Sequence, residues 1–425
     1  MKILMMTNSY FPFVGGIERS IQSFSHEFRR AGHEVMIAAP AWEGRAEDEQ
    51  YVIRVPAIKK FYHTEFSVNV PLPGLIPKLH KEFTPDIIHS HHPFFLGDLA
   101  LRMSRQYHIP LVFTYHIMFE KYVHYLPVKN DKARRFVIEL AAGYSNLAHH
   151  VIAPSDSVRD LLEERGVTAP ITVVPSGVDL QKFNLGNGAS FRQQNQIPED
   201  AFVIGYVGRL APEKNLDFLV HCLIRSLKED PTNHVVFAGG GPSEPMIEDA
   251  FRTAGLRDRL HMIGILHDQD LVDAYYAMDV FAFSSVSETQ GMVLVEAMAA
   301  GVPVVALDAT GVRDVVEDLV NGRLIEEASE DEFVQALNWF KLCSEDKKKD
   351  MRQQARQTAQ KFSKTACAAS MMTVYQQLRH QETFHDETAD NAWTHLRERM
   401  KAEWDLFKNL LEASEAAMHE GALSK

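Results

Sequence analysis

The chain has 425 residues, which predicts two domains of roughly 200 residues each. Apolar residues make up 45% and charged residues 24%, an ordinary globular composition that excludes collagen-like and disordered classes. The net charge is −13, and the deficit lies in residues 181–425, because residues 1–180 balance 19 Lys+Arg against 19 Asp+Glu. So acidic a chain is a poor nucleic-acid binder, and we exclude that partner.

The cysteines and the apolar runs indicate the compartment. Three cysteines, an odd number without metal-ligand spacing, are typical of a reducing environment. The run Met1–Thr7 is short and is predicted to be a strand rather than a signal peptide. No uncharged apolar run is long enough to span a bilayer. We expect a cytoplasmic protein whose membrane contact, if any, is peripheral, at the inner face of the cell membrane.

The first half alternates between strand and helix patterns. A strand Lys2–Thr7, a helix Ile17–Arg30 and a strand Glu34–Ala39 form a β-α-β unit, with Gly32 as the C-cap signal. Further strands are predicted at Ile87–His89, Leu111–Thr114 and Val151–Ala153. Residues 1–175 are therefore predicted to form a Rossmann-like domain with a parallel sheet.

The alternation stops at a turn-rich segment, residues 174–179, and then restarts. The second set comprises a helix Asn215–Lys228 and strands at Phe202–Val207, His234–Ala238, Val280–Phe283 and Val304–Leu307. Residues 176–380 are predicted to form a second Rossmann-like domain, with the end of this segment crossing back to the first. Such α/β sheets bind ligands beyond the carboxyl ends of their strands, so we expect the site in a cleft between two facing domains.

Residues 381–425 form a polar tail with helical periodicity. One apolar stripe recurs at spacings of three and four residues: Trp393, Leu396, Met400, Trp404, Phe407 and Leu411. We predict that this stripe packs against the protein.

A glycine pair, Gly15–Gly16, lies where the first strand turns into a helix. Glycine allows close backbone approach, and a helix N-terminus offers N–H groups to an anion. The pattern fits a phosphate site, but taken alone it favours a plain tight turn, since one glycine pair is far short of a full phosphate-binding motif.

Two cations, Arg209 and Lys214, lie on a short loop after a strand of the second domain. Arginine can bind a diphosphate through two hydrogen bonds, and lysine acts as a point charge. The alternative is a pair of solvated surface charges. Their position at the carboxyl end of a strand favours binding.

Two glutamates eight residues apart, Glu288 and Glu296, flank the start of a predicted helix. Gly291 lets the backbone approach a ligand before that helix begins. Glu296 follows among small and apolar residues, where a carboxylate needs a partner. A ribose diol would supply one, and purely structural hydrogen bonds are the alternative.

These motifs together resemble the retaining nucleotide-sugar glycosyltransferases of family 4, which have the GT-B architecture of two facing Rossmann-like domains. The resemblance covers about residues 1–380. Its segments occur in the family's order: 15–18, 113–116, 175–179, 208–214 and 288–303. Gln290 stands where the family commonly has Phe, and Glu288–Gly291 looks like the branch that glycosylates lipids such as diacylglycerol.

The resemblance implies a role for each matched residue. Arg209 and Lys214 would hold the donor diphosphate with the Gly15–Gly16 backbone nearby, Glu296 would bond the ribose, and His116 would lie beside the donor sugar. The sugar hydroxyls would be bound by Glu288 and by the backbone of Thr289, Gln290, Gly291 and Met292. For His116, a satisfied core imidazole is the alternative.

The resemblance also implies the reaction: transfer of a hexose, from a donor such as UDP-glucose, to a hydroxyl acceptor with retention. No cofactor and no metal would be needed, and the sequence has no Asp-x-Asp motif near the expected cleft. The expected acceptor is a membrane lipid or another glycan-lipid, with a soluble small molecule or glycan as the alternative. A nucleotide-sugar epimerase or hydrolase and a non-catalytic binding protein are the rival functions. The sequence leaves the oligomeric state open.

Two other clusters lie in the first half. A histidine cluster, His89, His91 and His92, suggests a metal, but no acidic or cysteine ligand accompanies it at useful spacing. An aromatic and basic stretch runs from Phe119 to Arg135 and contains Lys129, Lys132, Arg134 and Arg135. It could lie on anionic headgroups or form a solvated helix face.

Overall fold

The computed structural model describes residues 1–11, 15–41, 49–58, 68–69, 74–121, 130–382 and 392–418. The chain forms two compact units: Met1–Gly177 together with Thr365–Lys425, and Val178–Lys364. The stretch 365–380, the end of the segment that was predicted to cross back to the first domain, lies in the first unit. The predicted class is confirmed, because each unit is built on a parallel sheet with helices.

The first unit contains a seven-stranded parallel sheet. Its strands and the adjoining hairpin are β1 (Lys2–Met6), β2 (Glu34–Pro40), β3 (Val52–Val55), β4 (Ala57–Ile58), β5 (Val68–Asn69), β6 (Ile87–Ser90), β7 (Leu111–Thr114), β8 (His150–Ala153) and β9 (Ile171–Val173). Its first helices are α1 (Gly16–Arg30), α2 (Leu75–Glu82), α3 (Leu96–Tyr107), α4 (Asp131–Leu147) and α5 (Asp156–Glu164). The strand order is β3-β2-β1-β6-β7-β8-β9, and β4 and β5 form a separate antiparallel pair.

Burial explains why β1 is a continuous apolar run. Strands at the centre of a parallel sheet are covered by helices on both faces and need apolar side chains on both. Residues 3–6 are accordingly inaccessible to solvent. Met6 lies in register with Ser90 of β6, so the segments that follow these two strands emerge side by side.

The second unit repeats this architecture with six parallel strands. They are β10 (Phe202–Val207), β11 (Asn233–Ala238), β12 (Leu260–Gly264), β13 (Val280–Phe283), β14 (Val304–Leu307) and β15 (Gly322–Ile325). The helices are α6 (Gly188–Gln194), α7 (Leu216–Glu229), α8 (Glu244–Thr253), α9 (Asp268–Tyr276), α10 (Met292–Ala299), α11 (Glu330–Leu342) and α12 (Glu345–Gln360). The order β12-β11-β10-β13-β14-β15 makes β10 and β13 neighbours at the centre.

Two further helices, α13 (Lys364–Glu382) and α14 (Ala392–Met418), complete the first unit. α13 buries Met371 and Tyr375, and the Tyr375 ring lies 5.6 Å from that of Phe28 on α1. Packing of this kind explains why residues 365–380 belong to the first unit.

The prediction that the apolar stripe of the tail packs against the protein is wrong for the members whose side chains are described. Met400, Trp404, Phe407 and Leu411 are exposed. The helix packs instead through smaller residues such as Ala402 and Ala413 on its opposite face. Among the described residues, no helix is long and apolar enough to cross a membrane.

Candidate functional site

The loop after β10 carries the first predicted cation. Arg209 is exposed, and its backbone carbonyl accepts a hydrogen bond from the Tyr206 hydroxyl at 3.2 Å. The next residue, Leu210, donates its backbone N–H to the carbonyl of Gly240 at 3.0 Å. Arg209 therefore projects from a loop whose backbone is held on both sides of it.

A glycine loop after β11, residues 239–241, lies against the β10 loop and was missed in the sequence. A Cβ atom at Gly239 would lie 1.9 Å from the Gly208 carbonyl oxygen, and one at Gly241 would lie 2.3 Å from that of Leu210. Gly239 and Gly241 also have φ values of 151° and 155°. The run of three glycines in the sequence was the available signal for this close backbone approach.

Lys214 and Glu288 form an ion pair between neighbouring strand ends. The Lys214 Nζ lies 2.6 Å from a Glu288 carboxylate oxygen, and both side chains are largely buried. Burial alone raises the pKa of Glu288, but the Lys214 ammonium and a hydrogen bond with Ser285 together outweigh burial and hold that pKa below its ordinary value. The pair therefore consists of a cation and an ionised carboxylate at neutral pH.

Two serines of the segment after β13 fix this arrangement. The Ser284 hydroxyl donates to the backbone carbonyls of Lys214 and Asn215, each at 3.0 Å. The Ser287 hydroxyl donates to the carbonyl of Glu213 at 2.9 Å. These hydrogen bonds hold the two loops against each other beside the contact between Lys214 and Glu288.

The segment Glu288–Gly291 is shaped by two glycines with left-handed backbone. Gly291, with φ 68°, is the N-cap of α10, as the sequence analysis expected of a residue just before the helix. Gly311, with φ 75°, has no room for a side chain, because a Cβ there would lie 2.6 Å from the Gln290 backbone nitrogen. Gln290 is buried, whereas Thr289 and Met292 are half-buried.

Glu296 lies on α10 and is buried, as the apolar context predicted. Its carboxylate accepts a hydrogen bond from the Tyr275 hydroxyl at 2.9 Å. Tyr275, on α9, was not a sequence candidate, because nothing in its local pattern sets it apart from a core tyrosine. The bond reduces the cost of burying the carboxylate.

In the first unit, Gly15 is the N-cap of α1 and Gly16 is its first residue. Residues 12–14 of this motif lie outside the described residues. Within the first turn, Glu18 is buried and accepts a hydrogen bond from the Ser9 hydroxyl. Burial raises the pKa of the Glu18 carboxyl.

The histidines lie at the carboxyl ends of β6 and β7 in the same unit. His91 Nδ1 and His116 Nε2 are 2.9 Å apart, and His89 Nε2 bonds the Thr114 hydroxyl at 2.7 Å. His92 Nδ1 accepts the backbone N–H of Asn8 at 3.2 Å. These rings contact one another and their strand ends rather than converging on a central point.

Desolvation keeps the cluster neutral. It lowers the pKa of both His89 and His92 to about 3 and, together with neighbouring imidazoles, lowers the pKa values of His91 and His116 well below their ordinary range. His91 Nε2 is buried and finds no hydrogen-bond partner among the described residues. Within that part of the chain, no group of three or more His, Cys, Asp or Glu is arranged to hold a metal ion.

The structure thus brings Lys214, Glu288 and their loops together in the second unit, with Glu296 on the helix that follows. His116 and Gly15–Gly16 lie in the first unit. Of the basic stretch, Lys132, Arg134 and Arg135 lie on α4, whereas Lys129 falls outside the described residues.

Two family models match the chain. The model described as Glycosyltransferase Family 4 matches residues 14–182, and the model described as Glycosyl transferases group 1 matches residues 189–358. The second segment contains Arg209, Lys214, Glu288 and Glu296.

Individual relatives agree with these models. An alpha-monoglucosyldiacylglycerol synthase of Streptococcus pneumoniae is 30% identical over 339 residues, covering 76% of this chain and 75% of the relative. A GDP-mannose-dependent alpha-mannosyltransferase of Mycobacterium tuberculosis is 29% identical, covering 76% and 83%. Among solved structures, HepE of Anabaena in complex with UDP has a TM-score of 0.71 at 23% identity, covering 89% of this chain and 100% of that one. This chain therefore belongs to glycosyltransferase family 4 and has the GT-B class of fold.

Proposed function

We propose that this protein transfers a hexose from a nucleotide diphosphate sugar, UDP-glucose in the first instance, to a hydroxyl of a membrane lipid. Transfer retains the anomeric configuration and needs neither metal nor cofactor. The observation that carries the proposal is the Lys214–Glu288 pair at the ends of β10 and β13. Strand ends of this kind are where α/β sheets bind ligands.

The donor diphosphate binds Arg209 and Lys214. Arg209 is exposed on its held loop, and Lys214 is already poised by Glu288. As the anomeric bond breaks, negative charge grows on the diphosphate, so cations aimed at it stabilise the transition state more than the ground state.

The sugar and the ribose bind the two glutamates. An ionised carboxylate only accepts hydrogen bonds, which suits Glu288 to the hydroxyls of the hexose. The backbone N–H groups from Thr289 to Met292 precede α10, where the helix dipole favours partial negative charge. Glu296, oriented by Tyr275, binds the ribose diol.

His116 lies beside the donor sugar in this proposal, and Gly15–Gly16 lies near the diphosphate. A neutral imidazole can donate one hydrogen bond and accept another. The contact with His91 then fixes which His116 nitrogen carries the proton.

The acceptor hydroxyl attacks the anomeric carbon on the face from which the diphosphate departs, so the configuration at that carbon is retained. The bond from the anomeric carbon to the diphosphate oxygen breaks, and the bond to the acceptor oxygen forms. The acceptor hydroxyl passes its proton to the departing diphosphate, so no carboxylate nucleophile is required.

The choice of a lipid acceptor is supported by the diacylglycerol named in the pneumococcal relative. As part of the same proposal, the protein works in the cytoplasm, peripheral to the inner face of the membrane. The mycobacterial relative is named for GDP-mannose, which makes that donor the second candidate.

Product analysis tests this function. The protein is incubated with UDP-glucose or GDP-mannose and with either diacylglycerol vesicles or soluble sugars, with and without EDTA. We expect an α-linked glycolipid from UDP-glucose, formed equally in EDTA and assigned by its anomeric proton coupling. Transfer only to a soluble acceptor, donor breakdown without acceptor, or activity restored only by a divalent ion would each contradict a named part of the proposal.

A further inference from the structure

The helix α14 carries bulky apolar side chains on an exposed face. Met400, Trp404, Phe407 and Leu411 are 66%, 63%, 51% and 44% exposed. Their spacing of four, three and four residues places them on one side of the helix. We call these four residues the α14 stripe.

The opposite face of α14 is fixed to the first unit. Asn409 donates to the Leu140 carbonyl on α4 at 3.1 Å, and Arg102 on α3 binds both carboxylate oxygens of Glu403 at 2.6 and 3.1 Å. Ala402 and Ala413 are buried on this face. Leu406 is half-buried against the core on the same side, whereas the four large apolar residues of the stripe lie outside.

Basic residues border the stripe. Arg397, Lys401 and Lys408 are exposed, and at 100° per residue they follow one edge of the stripe for three turns. The acidic Glu403 between them is bound to Arg102, on the other side of the helix. Acidic residues follow this edge on the side away from the stripe: Glu398 lies 3.5 Å from Arg397, Asp405 comes four residues after Lys401, and Glu412 lies 3.5 Å from Lys408. The basic residues are therefore the charged groups nearest the stripe on this edge.

More positive charge lies at the far end of the stripe. Arg135 on α4 donates to the Ala416 carbonyl at 3.3 Å, which places the N-terminus of α4 beside the C-terminus of α14. The exposed Lys132 and Arg134 lie on that same first turn of α4. A chain of net charge −13 thus presents basic groups at both ends of its exposed apolar stripe.

We propose that the α14 stripe docks onto the surface of a membrane that contains anionic lipid. An apolar face with Trp, Phe and Leu and a basic edge is the pattern of a helix lying in the plane of the interface. Trp404 would lie at the headgroup level, and the basic edge would contact lipid phosphates. The choice of a lipid occupant rests on the proposed lipid acceptor. The helix itself lies outside residues 14–182 and 189–358, the segments shared with the family.

Vesicle flotation tests the docking without any nucleotide sugar. Full-length protein is mixed with phosphatidylcholine vesicles, either pure or with about one third phosphatidylglycerol, at low and high salt. We expect binding to the anionic vesicles that weakens as salt screens the charges. Trp404 fluorescence, identified by difference from Trp404→Phe, should shift to the blue on binding.

Two sets of variants separate the apolar contribution to vesicle binding from the electrostatic one. Changing Trp404, Phe407 and Leu411 to Ser should weaken vesicle binding by about tenfold or more, because each loses apolar area that would leave water. Changing Arg397, Lys401 and Lys408 to Ser should weaken binding to anionic vesicles and reduce the salt dependence of that binding, with Lys132 and Arg134 supplying the remainder. The control triple changes Leu185, Ile265 and Leu342, apolar residues of the second unit that are also exposed, to Ser and should bind as wild type does.

The outcomes are distinguishable. Wild-type protein that ignores anionic vesicles, or a stripe variant that binds them unchanged, overturns the docking proposal. Concentration-dependent dimerisation that the stripe variant abolishes, without vesicle binding, assigns the stripe to a second copy of the chain instead. UDP binding, measured separately by calorimetry, reports on the proposed transferase site, so its loss or retention is independent of docking. Circular dichroism confirms that each variant is folded.

Discussion

The ammonium of Lys214 lies 2.6 Å from the carboxylate of Glu288 although 74 residues separate them in the chain. The contact exists because β10 and β13 are neighbours in the sheet while β11 and β12 lie on the other side of β10. Sheet order thus places a cation and a fixed anion side by side at one strand-end edge.

The diphosphate assignment predicts the effect of removing either cation. Lys214→Ala and Arg209→Ala should each reduce turnover of UDP-glucose by about two orders of magnitude or more, the cost typical of losing one transition-state donor. Lys228→Ala, which changes an exposed lysine of α7 in the same unit, should leave turnover unchanged. Steady-state kinetics measure the effect, and near-normal rates in both site variants would contradict the assignment.

The hydrogen bond from Tyr275 to Glu296 predicts a role in nucleotide binding. Tyr275→Phe should weaken UDP binding by about two- to tenfold, since a net hydrogen bond contributes roughly 0.5–1.5 kcal/mol. Tyr276→Phe is the matched control, because its hydroxyl donates to the Phe183 carbonyl at 2.7 Å rather than to the glutamate. Isothermal titration calorimetry should separate them, and equal affinities would show that Tyr275 does not act through Glu296.

The backbone of the Glu288–Gly291 segment lies so close to Gly311 that a side chain there would displace it. Gly311→Ala should lower activity strongly and destabilise the protein by more than about 1 kcal/mol, because its Cβ would overlap the backbone of that segment. Gly255→Ala has nearly the same backbone strain, φ 72° against 75°, but nothing within 4 Å of its Cβ. Kinetics and thermal unfolding are measured for both variants, and the difference between them reports the effect of the contact. Equal losses of activity and stability in the two variants would show that backbone strain alone is responsible.

The buried histidines predict a loss of stability in acid. Folding holds the pKa of His89 and of His92 at about 3, against an ordinary value of 6.5. Between these pH values the unfolded chain binds protons that the folded chain does not. The contribution of each histidine to the free energy of unfolding is therefore largest above pH 6.5 and falls below it, by up to about 1.4 kcal/mol per pH unit.

Urea unfolding between pH 7.5 and 4.5 measures this dependence. His92→Gln should reduce the slope of the unfolding free energy against pH by the contribution of about one proton, because one titrating group is removed. A slope that His92→Gln does not change would show that another group governs the acid loss.

Much of the site was predictable from local sequence. Apolar runs fixed the position of strands such as Phe202–Val207 and Val280–Phe283, which the structure reproduces at those bounds. The predicted ends of these strands then placed Arg209, Lys214 and Glu288 on loops, because a charged residue that follows an apolar strand can be recognised from the sequence alone. Strands β12 and β15 were missed, since each is only partly buried and has a weaker apolar pattern.

The partners of those residues were decided by the tertiary structure. The hydrogen bonds of Glu296 with Tyr275 and of His116 with His91 join different elements, and no local spacing encodes which elements become neighbours. The tail illustrates the same limit. Its periodicity determined that α14 has one apolar stripe, but periodicity gives only the existence of a face and not what covers it. Contacts with α3 and α4 decided which face is buried. Asn409 lies against Gly143 of α4, where a Cβ would be only 1.9 Å from its amide oxygen, and donates to the Leu140 carbonyl, so the glycine leaves the room that this contact needs.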